Sequence, residues 1–326
     1  MSGLVTTIVP VYNRGKLLVE ALDSVLKQTY RPIEIVVVND GSTDETGQLA
    51  EAYRSKYKEV IYVVHQDRKG PGLARETGRS MARGEYIQFL DSDDLLAERK
   101  FELQVNGLLR NPHCGISYGK TRAYQIGETI GESAARRTGE YISKMFPAFL
   151  TGRIWHTVTP LYRKTVCDEA GPWSNLSQEE DWEYDCRIAS MGTNLQYCDE
   201  FIADHRNHGG NRLCHAWLKD LEALKDRAYA YALIYKHAKR AGLSCKHQEM
   251  KQFSRSLFLV CRQCGAAGLK EESKLLHQLA QEASNKHERR DVSIYGMLAR
   301  VIGWKSAGKL SDIFDKCRTS SRGISV

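Results

Sequence analysis

The sequence predicts an α/β fold in which a sheet of mainly parallel strands is covered by helices and followed by an almost wholly helical region. Three observations carry this. Through the first hundred residues the hydrophobic period switches repeatedly between strand and helix, with short links. Acidic residues gather directly after the apolar runs. From Trp217 onward the pattern is helical almost throughout, and no proline follows Pro172.

The elements follow in order. Leu4 to Val11 is a short apolar, β-branched run. Leu17, Leu18, Ala21, Leu22, Val25 and Leu26 recur at helical spacing. Ile33 to Val38 is an unbroken Val/Ile run apart from Glu34, the mark of a strand buried on both faces. Thr43 to Lys58 is helix-prone, Val60 to Val64 a third strand, Gly72 to Ala82 another helix and Tyr86 to Leu90 a fourth strand. Such sheets bind ligands beyond the carboxyl ends of their strands. Further on, Phe101 to Leu109 reads as helix, Cys114 to Ala123 as extended chain, and Gly127 to Gly139 as a loop able to close over a ligand. The final region holds four or five helices, with breaks expected near Gly242, Gly265–Gly268 and Gly308.

Composition bounds the answer. At 326 residues, 42% apolar and 27% charged, the chain suits one large domain and a smaller one, each with a core. Charge divides it. Residues 1–214 carry 26 Lys+Arg against 29 Asp+Glu, whereas residues 215–326 carry 21 against 11. We therefore expect a domain over 1–214 and a basic α-helical C-terminal domain over 215–326. The basic tail suits an anionic partner, peripheral lipid included. It has no zinc-finger spacing or other nucleic-acid motif, so nucleic acid is not expected. No apolar run approaches the ~20 residues of a membrane span. Met1 to Val11 lacks the features of a signal peptide, which places the expectation on the cytoplasmic side, with possible peripheral contact at the inner face of the membrane. Nine scattered cysteines fit reduced thiols, and Cys261-x-x-Cys264 reads as a buried helical pair.

Three acidic features hold the chemistry. Asp40 follows the most apolar strand, where a carboxylate can accept from a base or a ribose hydroxyl; equally, Asp40 and Ser42 can simply make the turn and cap the helix. Asp91-Ser92-Asp93-Asp94 packs three carboxylates into four residues, a repulsion that a divalent cation would relieve, and Mg²⁺ uses one or two carboxylates together with substrate phosphates. The plain alternative is a solvated acidic turn. Glu179-Glu180-Asp181 precedes a helix, where one carboxylate could act as general base or merely complement the helix dipole.

Thr7-Ile8-Val9-Pro10-Val11-Tyr12-Asn13-Arg14, Val37-Val38-Asn39-Asp40-Gly41-Ser42-Thr43-Asp44, Gly84 through Asp94 and the later Glu180-Asp181-Trp182 together resemble glycosyltransferase family 2, the inverting transferases of GT-A fold. The resemblance covers roughly residues 1–214. It implies a Rossmann-like mixed sheet and transfer of a sugar from a nucleotide-diphosphate donor, usually a UDP-sugar, to a glycan or lipid-linked acceptor, as in bacterial surface polysaccharide assembly. Pro10, Tyr12 and Asn13 would line the nucleotide pocket, Asp40 would hold the base, Arg75 would lie near the nucleotide or diphosphate, and Asp91, with Ser92, would sit by the ribose and donor sugar. Asp93 would be the main contact to Mn²⁺ or Mg²⁺, and Asp181 the catalytic base. His208, in Arg206-Asn207-His208, would approach the metal or diphosphate, with His205 competing for that role. The family often has Asn where this chain has Glu76. Acceptor candidates are Trp155, His156, Glu180 and Trp182, with Trp173 nearby in the chain; core packing explains Trp155 and Trp173 equally well. The rival readings are a non-catalytic nucleotide-sugar or glycan-binding protein on the same fold, and a nucleotidyltransferase, which would want a Gly-rich phosphate loop that Val9 to Gly15 lacks.

Overall fold

The computed structural model describes residues 3–207, 220–285 and 288–320. Contacts group them into two units: one built from residues within 1–145, 153–175 and 187–211, the other from residues within 146–152, 176–186 and 212–326.

The first unit is a mixed eight-stranded sheet with helices. Its strands are β1 (Val5–Val11), β2 (Ile33–Asp40), β3 (Ile61–Gln66), β4 (Tyr86–Phe89), β5 (Leu95–Leu96), β6 (Cys114–Gln125), β7 (Leu161–Arg163) and β8 (Asn194–Asn207), in the order β3-β2-β1-β4-β7-β6-β8-β5. The parallel half, β3-β2-β1-β4, is wound by α1 (Gly15–Leu26), α2 (Thr46–Lys56) and α3 (Pro71–Met81). Every residue of β1 and β2 is buried, as the continuous apolar runs predict. Leu18, Leu22 and Val25 of α1 pack with Val5, Val9, Ile35 and Val37 on one face, and Ala74 of α3 packs with Val36 and Val38 on the other. Alternate strand residues thus feed two cores, and the polar residues that end each run emerge together at one edge. Beyond β4 the sheet turns mixed, since β7 runs antiparallel to both β4 and β6. The helices α4 (Lys100–Arg110) and α5 (Lys164–Ala170) complete this half.

The second unit is helical: α7 (Leu221–Arg240), α8 (Gln248–Ala267), α9 (Lys270–Ala283), α10 (Glu288–Ile302) and α11 (Trp304–Ser320). The α6 helix (Glu180–Ala189) begins in this unit. Asp220 caps α7 by accepting from the Glu222 amide at 2.9 Å. The chain breaks at Gly242, Gly268 and Gly303, all at positive φ. The third break falls five residues before the expected Gly308, which instead lies inside α11. A side chain there would strike the Gly265–Ala266 backbone of α8, so this glycine serves close helix packing rather than a turn. Cys261 and Cys264 are buried on α8, and burial pushes both thiols up to about 12. Residues outside the long helices join the same core. Trp182 packs edge-on to Tyr231 and Phe253, and its indole N–H donates to the Phe149 carbonyl at 2.7 Å. Among the described residues, no helix is long and apolar enough to cross a membrane.

Candidate functional site

The edge where β1, β2 and β4 end gathers most of the residues singled out in the sequence. After β1 the chain makes a tight turn at Asn13, a non-glycine residue at φ 49°. The Asn13 amide donates to Ser42 Oγ at 3.0 Å, and its side-chain carbonyl accepts from the Thr43 amide at 2.8 Å. These bonds tie the turns after β1 and β2 together, which explains why both need short polar residues.

Asp40 ends β2 almost fully buried. One carboxylate oxygen accepts from Gln66 Nε2 at 2.7 Å and the Lys69 amide at 2.8 Å, and the other from the Gly70 amide at 2.8 Å. It therefore fixes the turn between β3 and α3. That turn lies so close to Gly41 that a Cβ there would come within 2.8 Å of the Arg68 nitrogen; Gly41 also sits at φ +75°. Held in this way, Arg68 lays its guanidinium over the Tyr12 ring, 4.0 Å from the centroid, and donates to the Tyr12 hydroxyl at 3.3 Å.

The carboxylates after β4 each meet a different cation. Arg75, buried on α3 with its guanidinium 4.9 Å from the Trp173 ring centroid, donates to Asp91 at 2.7 Å. Burial pushes the Asp91 carboxyl up, but Arg75 outweighs it and holds the group below the usual carboxylate range. Arg14 donates to Asp93 at 2.7 Å. Asp94 is wholly buried and accepts from the Arg206 amide at 3.0 Å, with His205 Nδ1 at 3.1 Å. Burial lifts Asp94 to about 6. Burial draws His205 down, yet its bond to Asp94 and the charges around it leave the ring above its ordinary value, so the pair retains a proton into the weakly acidic range. The side chain of Arg206 clamps the loop, donating through Nε to the Asp93 carbonyl at 2.6 Å and pairing with Glu20. The repulsion within Asp91–Asp94 is thus relieved by protein cations, and only Asp91 and Asp93 keep exposed carboxylate surface, 29% and 11%.

His205 also stacks on His156, centroids 3.8 Å apart and planes 11° from parallel, and Arg136 Nε approaches His156 Nε2 at 3.3 Å. The 127–139 loop presents Arg136 at φ 53° and is tied back to β6 through Ala135 and the buried Thr138. Trp155 is fully buried against Tyr118, and Trp173 lies against Phe89. His208 lies outside the described residues. Asp181 and Glu180 begin α6 in the second unit, after Glu179 at φ 60°. Glu180 is buried, Asp181 is half-buried, and its Oδ1 accepts from the Trp182 amide at 2.7 Å. Pro10, Tyr12, Asn13, Asp40, Asp91, Ser92 and Asp93 therefore share one edge of the sheet, reached by Arg75 from α3, whereas Asp181 belongs to the helical unit.

Sequence reasoning passed over two parts of this edge. Arg14 stood inside the quoted motif but gave no sign of facing Asp93, 79 residues away. Arg68 belongs to a polar turn with no periodicity to aim it.

The model of the family described as Glycosyl transferase family 2 matches residues 6–169, half of the chain. Glycosyltransferase GlyG of Streptococcus pneumoniae serotype 4 (strain ATCC BAA-334 / TIGR4) is 47% identical over 103 residues, 31% of this chain and 34% of that protein. The chain therefore spans about a third of this relative's length. S. aureus TarS 1–349, solved in complex with UDP-GlcNAc, superposes with a TM-score of 0.68 at 19% identity, covering 94% of this chain and 90% of that one. The mannosyltransferase PcManGT of Pyrobaculum calidifontis, solved with GDP-Man and Mn²⁺, gives 0.52 at 19% identity over 96% of this chain and 87% of that one. At such identities the likeness is one of fold, and the fold is that of GT-A glycosyltransferases.

Proposed function

The chain belongs to glycosyl transferase family 2, and from that premise we propose that it is a hexosyltransferase, moving a sugar with inversion from a nucleotide-diphosphate donor, a UDP-sugar, to a glycan or lipid-linked acceptor. The observation that carries this reading is the gathering of Tyr12, Asp40, Asp91 and Asp93 at the carboxyl ends of β1, β2 and β4, where open α/β sheets bind nucleotides. The UDP complex of TarS supports UDP as the nucleotide.

In this reading Tyr12 offers a ring face to the base. Asp40 holds the turn that carries Arg68 and lies beside the base. Asp91, held ionised by Arg75, accepts hydroxyls of the ribose or donor sugar. A divalent metal fits the residues present in a limited way. Asp93 supplies a hard carboxylate oxygen, which would hold Mn²⁺ or Mg²⁺ together with substrate phosphates, and His208 would be a further ligand. When bound, such an ion would offset charge on the departing diphosphate. Arg14, which pairs with Asp93, has the charge to follow the diphosphate once it arrives. Asp181 takes the proton from the acceptor hydroxyl as that oxygen attacks the anomeric carbon. The bond from that carbon to the phosphate oxygen breaks, its electron pair leaves with the nucleoside diphosphate, and one displacement inverts the centre.

The test is donor binding and hydrolysis across UDP-, GDP- and dTDP-sugars with Mn²⁺ or Mg²⁺. One nucleotide sugar should be bound and slowly hydrolysed, Asp93→Ala should cut hydrolysis by about 100- to 1,000-fold, and Asp181→Asn should keep binding. No binding of any donor by the wild-type chain would overturn the reading.

A further inference from the structure

Amphipathic helices usually turn their one apolar stripe inward, and α10 has two. Val292, Tyr295 and Ala299 are buried, while Ile294, Met297, Leu298 and Val301, at the i, i+3, i+4, i+7 spacing of a second stripe, face solvent. Val301 is 83% exposed and Met297 62%. Past Gly303, α11 exposes a set of its own, Leu310, Ile313 and Phe314, the last 73% exposed. Monomeric proteins seldom leave this much hydrocarbon along one helix face uncovered. Trp304 does not join it: that ring packs edge-on to His277 and Tyr295 inside the bundle.

The charges around the stripe select an occupant. Arg290 stands one turn before Ile294 and Lys309 one turn before Ile313. Arg289, Arg300 and Lys305 are exposed too, with Asp291 the only exposed acid among the described side chains of these two helices. Residues 215–326 as a whole carry 21 basic against 11 acidic side chains. Exposed hydrocarbon flanked by Lys and Arg is the pattern of a helix lying in a lipid interface, its apolar face among acyl chains and its cations at headgroup phosphates.

We infer that the outer face of α10 and α11 is a docking surface for an anionic lipid bilayer. This goes beyond sugar transfer and does not depend on it, because binding needs neither nucleotide nor metal. The experiment is co-sedimentation of the full chain with vesicles of phosphatidylcholine, alone or mixed with phosphatidylglycerol, at low and high salt, beside size-exclusion chromatography. The wild-type chain should bind the anionic vesicles at low salt and leave them at high salt. Lys305→Gln and Lys309→Gln should each weaken binding about fivefold. The combined Met297→Ser, Val301→Ser and Phe314→Ser variant should lose more than about tenfold while keeping its thermal midpoint, since these side chains are exposed. Absence of binding to anionic vesicles overturns the proposal. So does binding that the serine variant leaves unchanged, or a dimer in solution that the same variant splits, which would give the face to a second copy.

Discussion

In the sheet unit, Arg75, Asp94 and Arg206 are buried charges held by one another's neighbours, whereas in the helical unit Met297, Val301 and Phe314 are hydrocarbon left in water. Each region breaks the ordinary rule of burial in its own direction. Burying a charge costs several kcal/mol unless partners are in place (about 3–5 kcal/mol when one partner is removed), so the first unit spends stability on placing Asp91 and Asp93. Exposing an apolar stripe costs little in the folded chain but leaves a surface with something to gain from a partner.

That contrast can be broken in steps. The largest effect should come from the proposed base: Asp181→Asn should lower kcat by about 100- to 10,000-fold with donor affinity retained, measured by single-turnover transfer and by nucleotide titration. Asp93→Ala should cost about 100- to 1,000-fold in donor hydrolysis, with the loss greatest at low metal concentration. Arg68→Ala should weaken UDP binding about fivefold through loss of a cation beside the anionic nucleotide, and leave the thermal midpoint unchanged; tighter binding would mean that Arg68 only blocks Tyr12. Gly308→Ala should overpack the contact of α11 with α8 and lower stability by about 1–3 kcal/mol, read in urea denaturation, with no effect on donor affinity.

The smallest effect is one of pH and falls on the helical unit. Burial lowers the pKa of His277, whose Nε2 lies 2.9 Å from the Val292 carbonyl, while His205 in the sheet unit is raised. With its folded pKa below the unfolded 6.5, His277 leaves stability fully present above that value. The unfolded chain binds the proton first, so stability is lost as pH falls through 6.5 toward the folded pKa. Amide protection factors in α9 and α10, corrected for the intrinsic slowing of exchange in acid, should accordingly fall between neutral pH and pH ~5.5, and an imidazole NMR titration should place His277 below 6.5.

The two regions also differ in how much the sequence discloses. The parallel half of the sheet was legible because Ile33–Val38 and the helix of Leu18, Leu22 and Val25 have periods that only one structure satisfies. The carboxylates after β2 and β4 were legible for a topological reason: wherever a buried strand ends, its next polar residue stands at the sheet's edge. What those carboxylates touch was not legible. Asp93 meets Arg14 and Asp94 meets His205 across separations of 79 and 111 residues, which no local pattern encodes. Gly308 misled for a different reason, since a glycine that admits a neighbouring backbone and one that ends a helix look alike until the neighbour is in place. The outward stripe of α10 was half visible. Leu298 and Val301 lie at helical spacing in the sequence, but periodicity names a stripe without saying which way it faces.

The bonds from Asn13 to Ser42 and Thr43, and from Asp40 to the amides of Lys69 and Gly70, join three separate turns into one rim. A rim assembled in advance has little conformational freedom left to surrender on binding. Rival nucleotides should therefore arrive at similar speeds, and selectivity should reside in how long each one stays.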